Sequence, residues 1–164
     1  NCKIEKKKSV RKIGVSIYEP AELKYIVPKY KIDIVQTPYN VIDRQIVFSG
    51  WVKKLKKLKI EVHARSIFLQ GLLLMKRSKR IKKFSKFNNF LKKWDKKVKA
   101  TKRSALSLCL NFVLSDHKFD KVIVGVDSYN QFKEIFKNIN DSKISMKKMI
   151  SHKEKRLINP SKWS

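Results

Sequence analysis

The sequence predicts an α/β fold built on parallel strands, and three observations predict it. Short apolar runs of strand length alternate with segments whose apolar residues recur at helical spacing. Their order is strand, helix, strand, helix, strand, helices, strand, helix, the pattern that right-handed crossovers between parallel strands produce. No internal repeat and no Gly/Ser-rich linker divides the 164 residues, so residues 1–164 read as one unit long enough to bury a core.

The elements follow in order. Lys12-Ile13-Gly14-Val15-Ser16-Ile17 is the first strand. Glu19-Pro20 opens a helix, because proline in the first turn gives up an N–H that has no partner there. That helix fades by Pro28, and Ile32-Asp33-Ile34-Val35-Gln36 is the second strand, stopped by Thr37-Pro38. From Val47 to Leu58 the apolar residues Phe48, Trp51, Val52, Leu55 and Leu58 predict a helix with its lysines outward. Glu61-Val62-His63-Ala64-Arg65-Ser66 is the third strand, followed by a loop through Gly71 and a basic segment, Lys76–Arg80. Phe87, Phe90, Leu91 and Trp94 form one helical stripe; Ala105, Leu108, Cys109, Phe112 and Val113 form another. Lys121-Val122-Ile123-Val124-Gly125 is the fourth strand, and Phe132, Ile135 and Phe136 lie on the helix after it.

A formal net charge of +28 and a pI near 10.3 invite a phosphate-binding role. The basic residues are seven Arg against 34 Lys, however, and nucleic-acid readers lean on the arginine fork. Lysine used wherever a face is merely wet accounts for this balance better, and nucleic acid is expected only as a non-specific polyanion. No apolar run reaches membrane-spanning length and no apolar leader follows Asn1-Cys2-Lys3, so a cytoplasmic protein is expected. Cys2 and Cys109 lack CxxC spacing and read as reduced thiols. His117 and His152 have no ligand-type neighbours at metal spacing, so no metal site is expected.

Four stretches together carry a resemblance. Ile13-Gly14-Val15-Ser16, Asp33-Ile34-Val35-Gln36-Thr37-Pro38-Tyr39-Asn40, Val62-His63-Ala64-Arg65-Ser66-Ile67-Phe68-Leu69-Gln70-Gly71-Leu72, and Val122-Ile123-Val124-Gly125-Val126-Asp127-Ser128 with Gln131 and Glu134 behind it resemble strands five to eight of the aldo/keto reductase family. They stand in family order at family spacing, from about Lys12 to the helix of Ile135, and the tail Ile158–Trp163 resembles the end of one bacterial subgroup. The resemblance implies part of a (β/α)8 barrel: four parallel strands with outer helices. It also implies that strands one to four, with the family's catalytic Asp, Tyr, Lys and His, are missing here. A full barrel takes about 250 residues, and a chain that begins with Asn is expected to have lost its upstream half. That half is then the expected partner. By parity Val15, Ile34, His63 and Ile123 are expected on the lumen face.

The implied chemistry is hydride transfer between NADP (or NAD) and a carbonyl or alcohol substrate, with no catalytic residue in this chain. Carried over position by position, Ser16 and Gln36 would hold the nicotinamide carboxamide, although Ile17 replaces the family's Asn. Arg65 stands where the family usually has a ring-stacking Tyr, which puts a permanent cation beside a ring that becomes positive on oxidation. Ser66 would meet the pyrophosphate. Gly125, Asp127 and Ser128, with Gln131, would form the phosphate-facing start of the last helix. Glu134 would receive the adenine amino group, while Ile135 replaces the following Asn. Asp127 argues against a 2′-phosphate and Lys133 for one. The competing expectation is a Lys-rich polyanion-binding module without enzymatic activity.

Overall fold

A computed structural model describes residues 10–139 and 154–163. Cys2 and His152, named above, lie outside them. Four strands, β1 (Gly14–Ser16), β2 (Ile34–Pro38), β3 (Glu61–Arg65) and β4 (Lys121–Val122), form one sheet in the order β1-β2-β3-β4 with every pairing parallel. Each crossover is helical: α1 (Leu23–Ile26), then α2 (Gln45–Phe48) and α3 (Trp51–Lys57), then α4 (Asn88–Ala100) and α5 (Ala105–Leu114). Helix α6 (Tyr129–Ile139) follows β4, and the short α7 (Lys155–Ile158) comes near the end.

The register decides which side chains share a face, because directly paired residues of parallel strands point the same way. Val15 pairs with Val35 and Val35 with Val62, while Ser16 pairs with Gln36 and Gln36 with His63. Val35, Val62 and Ala64 are fully buried in one cluster with Leu55 of α3 and Ile46 of α2. A fully buried side chain of this type contributes roughly 1.5–3 kcal/mol. The other face carries Ser16, Ile34, Gln36, His63 and Arg65. Ile34 and His63 therefore lie where expected, but Val15 does not: it belongs to the helix-packed face. Alternation of Ile13, Val15 and Ile17 with Gly14 and Ser16 leaves open which face meets the helices until the register with β2 is fixed. That register is tight, since a Cβ on Gly14 would sit 2.7 Å from the Ile34 carbonyl oxygen.

Several elements differ from the sequence expectation: β1 is confined to Gly14–Ser16, and β2 runs on through Thr37 to Pro38, which were expected to stop it. The helix expected over Val47–Leu58 is two helices, because Gly50 turns left-handed at φ 76. The fourth strand is expected to run to Gly125 but ends at Val122, with one more ladder bond from the Ile123 N–H to the Ala64 carbonyl at 2.8 Å. β3 stops at Arg65 and the chain turns away at Ser66 (φ 56), so no partner remains for Val124.

Helix α5 is apolar all round and is buried from Leu106 to Val113, as a central helix must be. The Ser104 hydroxyl caps it by accepting the Ser107 N–H at 3.0 Å. Trp94 of α4 is buried and donates to the Leu73 carbonyl at 2.9 Å. The 87–94 stripe is thus core packing rather than a platform for stacking bases. In the tail, Leu157 and Ile158 are buried, and Trp163 meets Phe84 edge to face at 4.8 Å.

Candidate cofactor cleft at the strand ends

Of the polar residues predicted for a cofactor, Ser16, Gln36, Arg65 and Ser66 lie at or just beyond the C-terminal ends of the strands, the mouth at which barrel folds gather their chemistry, and the rest lie on the segment from β4 into α6. Arg65, the last residue of β3, is their hub. Its Nε donates to Ser16 Oγ at 3.0 Å, one terminal nitrogen donates to Ser66 Oγ at 3.0 Å, and the other donates to the Ile17 carbonyl at 2.9 Å. The guanidinium lies over the Tyr18 ring, 5.1 Å from its centroid. A cation in a strand needs such partners. Gln36 is the register partner of Ser16 on the same face.

Ser66 adopts a left-handed backbone, as do Leu69, Gln70 and Gly71, so the chain leaves β3 through a series of tight turns. Outside glycine this conformation costs on the order of 1–2 kcal/mol per residue, and here it is held from outside. The buried Asn40 donates through Nδ2 to the Ser66 carbonyl at 3.1 Å and accepts the Ile42 and Asp43 N–H groups. Asp43 is buried beside it. Burial raises its carboxyl pKa from 3.8 to about 6, while the Gln45 N–H, which it accepts, and the charge of Arg65 pull the other way. Neither Asn40 nor Asp43 is among the predicted residues. Their signal is two polar side chains bracketing the apolar pair Val41-Ile42 just beyond a strand.

A cleft of about 880 Å³ opens between the turns after β3, the start of α5 and the β4–α6 segment. Six predicted residues line it: Arg65, Ser66, Gly125, Asp127, Gln131 and Glu134. Ser16, Gln36 and Ser128 lie off the cleft wall, with Ser16 connected to it through Arg65. Ser128 accepts the Gln131 N–H at 3.2 Å, and Gln131 Oε1 accepts the Asp127 N–H at 2.8 Å. The start of α6 is therefore capped by its own side chains, and two donors expected to be free for a ligand are engaged. Lys76, Ser104 and Gln70 also line the cleft and are absent from the sequence expectation, because the wall joins segments far apart in the chain.

Lining of this kind suits an elongated ligand with an anionic middle: Arg65 and Lys76 supply charge, Ser66 a hydroxyl, and Phe68, Leu106 and Ile123 apolar walls. His63 pairs with Glu61 at 3.0 Å and is buried, which gives it a structural role. His117 is exposed. Among the described residues no group of three His, Cys, Asp or Glu is placed to hold a metal, and no helix is long and apolar enough to cross a membrane.

Comparison with known proteins fits this arrangement. The Aldo/keto reductase family profile matches residues 3–155. The chain belongs to that family. Among solved structures it is similar to the holo form of aldo-keto reductase AKR11C1 from Bacillus halodurans, at 17% identity and a TM-score of 0.60, covering 82% of this chain and 46% of that one. It is also similar to the glycerol dehydrogenase AKR11B4 from Gluconobacter oxydans, at 19% identity and a TM-score of 0.64, covering 85% and 47%. The fold is thus four strands of the family barrel with their outer helices, and the chain spans about half the length of these structures. No curated protein sequence matches the chain.

Proposed function

We propose that the protein is a nicotinamide-dependent oxidoreductase interconverting a carbonyl and an alcohol, and that this chain is its cofactor-holding portion. The observation that carries the reading is the cleft of about 880 Å³, which collects Arg65, Ser66, Gly125, Asp127, Gln131 and Glu134 at the strand ends. When bound, NADPH or NADH supplies a hydride to the carbonyl carbon, and a proton taken up at the oxygen completes the alcohol.

The chain's own residues bind and orient. Ser16 Oγ accepts from Arg65 Nε, which leaves its hydroxyl proton to donate to the carboxamide oxygen. Gln36, beside it, offers both a donor and an acceptor. The hydroxyl of Ser66 and the cations of Arg65 and Lys76 serve the pyrophosphate, and Glu134 accepts from the adenine amino group. Tyr39 donates its hydroxyl to Asp116 at 2.7 Å, and burial pushes its pKa well above the ordinary tyrosine value, away from what an acid catalyst needs. The catalytic acid is assigned to the other four strands of the barrel, which act as the partner of this chain. The setting is cytoplasmic and the substrate a small carbonyl compound.

The test is isotopic. Purified chain combined with a segment supplying strands one to four is given an aldehyde and NADPH or NADH carrying deuterium at C4. Transfer of deuterium to the alcohol supports the reading. Its absence, with the complex folded, overturns it.

A further inference from the structure

We propose that the groove between the turns after β3 and helix α4 docks an acidic amphipathic helix of a partner protein. The groove, of about 590 Å³, has two walls. One is the turn Leu73-Leu74-Met75 with Lys76 and Arg77, and the other is a face of α4 carrying Lys92, Lys96, Val98 and Lys99. Trp94 Nε1 donates to the Leu73 carbonyl at 2.9 Å and ties the two walls together, so the groove is formed before a partner arrives. It meets the cofactor cleft at Leu74, Lys76 and Ala105, which line both. Its occupancy does not depend on what that cleft binds.

The charge of the groove is one-sided. Lysine and arginine outnumber acids by about three to one in the whole chain, 41 against 13, but by fourteen to one between residues 76 and 103. The one acid there is Asp95, and the Arg80 fork holds both of its oxygens, at 2.8 and 2.5 Å. Among the described residues, Lys76, Arg77, Lys92, Lys96 and Lys99 form no ion pair. Lysine on a merely wet face needs no apolar surface beside it. Here the cations rim a floor of Leu73, Leu74, Met75 and Val98, and Leu74 is exposed.

The rim also sets the shape of the occupant. Lys92, Lys96 and Lys99 lie on one stripe of α4, about 10 Å long at 1.5 Å per residue. A helix laid in the groove presents carboxylates at the same spacing beside an apolar stripe, so its acids meet the rim and its apolar side chains meet the floor. A second copy of this chain is repelled, because each carries a net charge of +28. Single-stranded nucleic acid fits less well. Trp94 is buried and gives bases no face to stack on, and the rim has one arginine among its five cations.

The experiment uses the 164-residue chain near physiological ionic strength, where the Debye length is about 8 Å and diffuse attraction is weak. It reads the fluorescence anisotropy of three labelled probes: a synthetic helix whose leucine stripe is flanked by glutamates, a shuffled peptide of the same composition, and an oligothymidylate. The ordered helix should bind roughly tenfold more tightly than the shuffled peptide. Lys92→Glu with Lys96→Glu should lower its affinity by about tenfold or more. Lys53→Glu with Lys57→Glu, an equal change of net charge at exposed positions of α3, should lower it less than about twofold. Met75→Gln, which keeps shape and charge, should lower it about fivefold. Equal binding of the two peptides, or equal losses in the two double variants, reduces the effect to net charge and overturns the site. Unchanged binding in Met75→Gln overturns the role of the apolar floor, and the helix with it. Tighter binding of the oligothymidylate than of the ordered helix assigns the groove to nucleic acid and overturns the proposal, as does no binding of the ordered helix.

Discussion

Arg65 Nε and Ser16 Oγ meet at 3.0 Å across the mouth of the sheet, joining the ends of β3 and β1 over the intervening β2. The same guanidinium also holds the Ile17 carbonyl and Ser66 Oγ, so one side chain fixes the strand end, the serine hydroxyl and the first turn of the cleft.

The charge at this point has a redox consequence. A cation near the nicotinamide disfavours the ring that becomes positive on oxidation. Two like unit charges about 4 Å apart repel by about 1 kcal/mol in water and about 4 kcal/mol at an effective dielectric of 20. Arg65→Tyr, which restores the residue usual in the family, should raise affinity for the oxidised cofactor relative to the reduced one by about fivefold or more, the low end of that range. Calorimetric titration with both forms checks this, and an unchanged ratio contradicts it.

Close approach of β1 to β2 makes a separate prediction. A Cβ on Gly14 would lie 2.7 Å from the Ile34 carbonyl oxygen and 2.8 Å from the Ile34 Cβ, and the carbonyl is backbone that yields little. Gly14→Ala should lower stability by about 1–3 kcal/mol, read from the urea midpoint. A midpoint equal to that of the parent chain contradicts it.

Much of this was legible in the sequence, and the limits have physical causes. The alternation of elements gave parallel strands, and Ser16, Gln36 and Arg65 lie on one face as their strand-end positions required. Val15 was misplaced because the alternation of Ile13, Val15 and Ile17 with Gly14 and Ser16 shows which residues share a face but not which face meets the helices; pairing of Val15 with the buried Val35 decides it. Strand β4 was over-extended because propensity in Ile123-Val124-Gly125 says nothing of whether β3 still offers a partner. Lys76 and Ser104 went unseen because the cleft is assembled from residues far apart in the chain, and Asn40 because its bond to the Ser66 carbonyl joins two separate loops.

Asp43 gives the protein a pH signature. Its folded pKa of about 6 lies above its ordinary 3.8, so between those values the folded chain holds a proton that the unfolded chain has lost. Its contribution to stability is therefore full below about pH 4 and declines as pH rises to about 6, a change of roughly 3 kcal/mol. Carboxylates such as Glu61 and Asp120, whose pKa values are lowered, act in the opposite sense. The informative quantity is the difference between parent and Asp43→Asn, which should grow over this window in favour of the variant. A constant difference from pH 4 to 7 contradicts it.

The two outer strands pair on one side only among the described residues, and Ile123, Val124, Phe132 and Phe136 are exposed beside β4. Unpaired strand edges and uncovered apolar side chains favour association. Sedimentation near physiological salt should show oligomers, giving way to smaller species at low salt, where the net charge of +28 is less screened. A stable monomer at physiological salt contradicts this.

The central claim is that a nicotinamide dinucleotide lies in the cleft between the turns after β3 and the start of α6. Amide hydrogen exchange with and without saturating NADH tests it most directly. The account predicts slower exchange over residues 65–76 and 123–131, with no change over 88–100, and predicts that Arg65→Ala diminishes the protection. Protection confined to other segments, or none at saturating NADH, would contradict it.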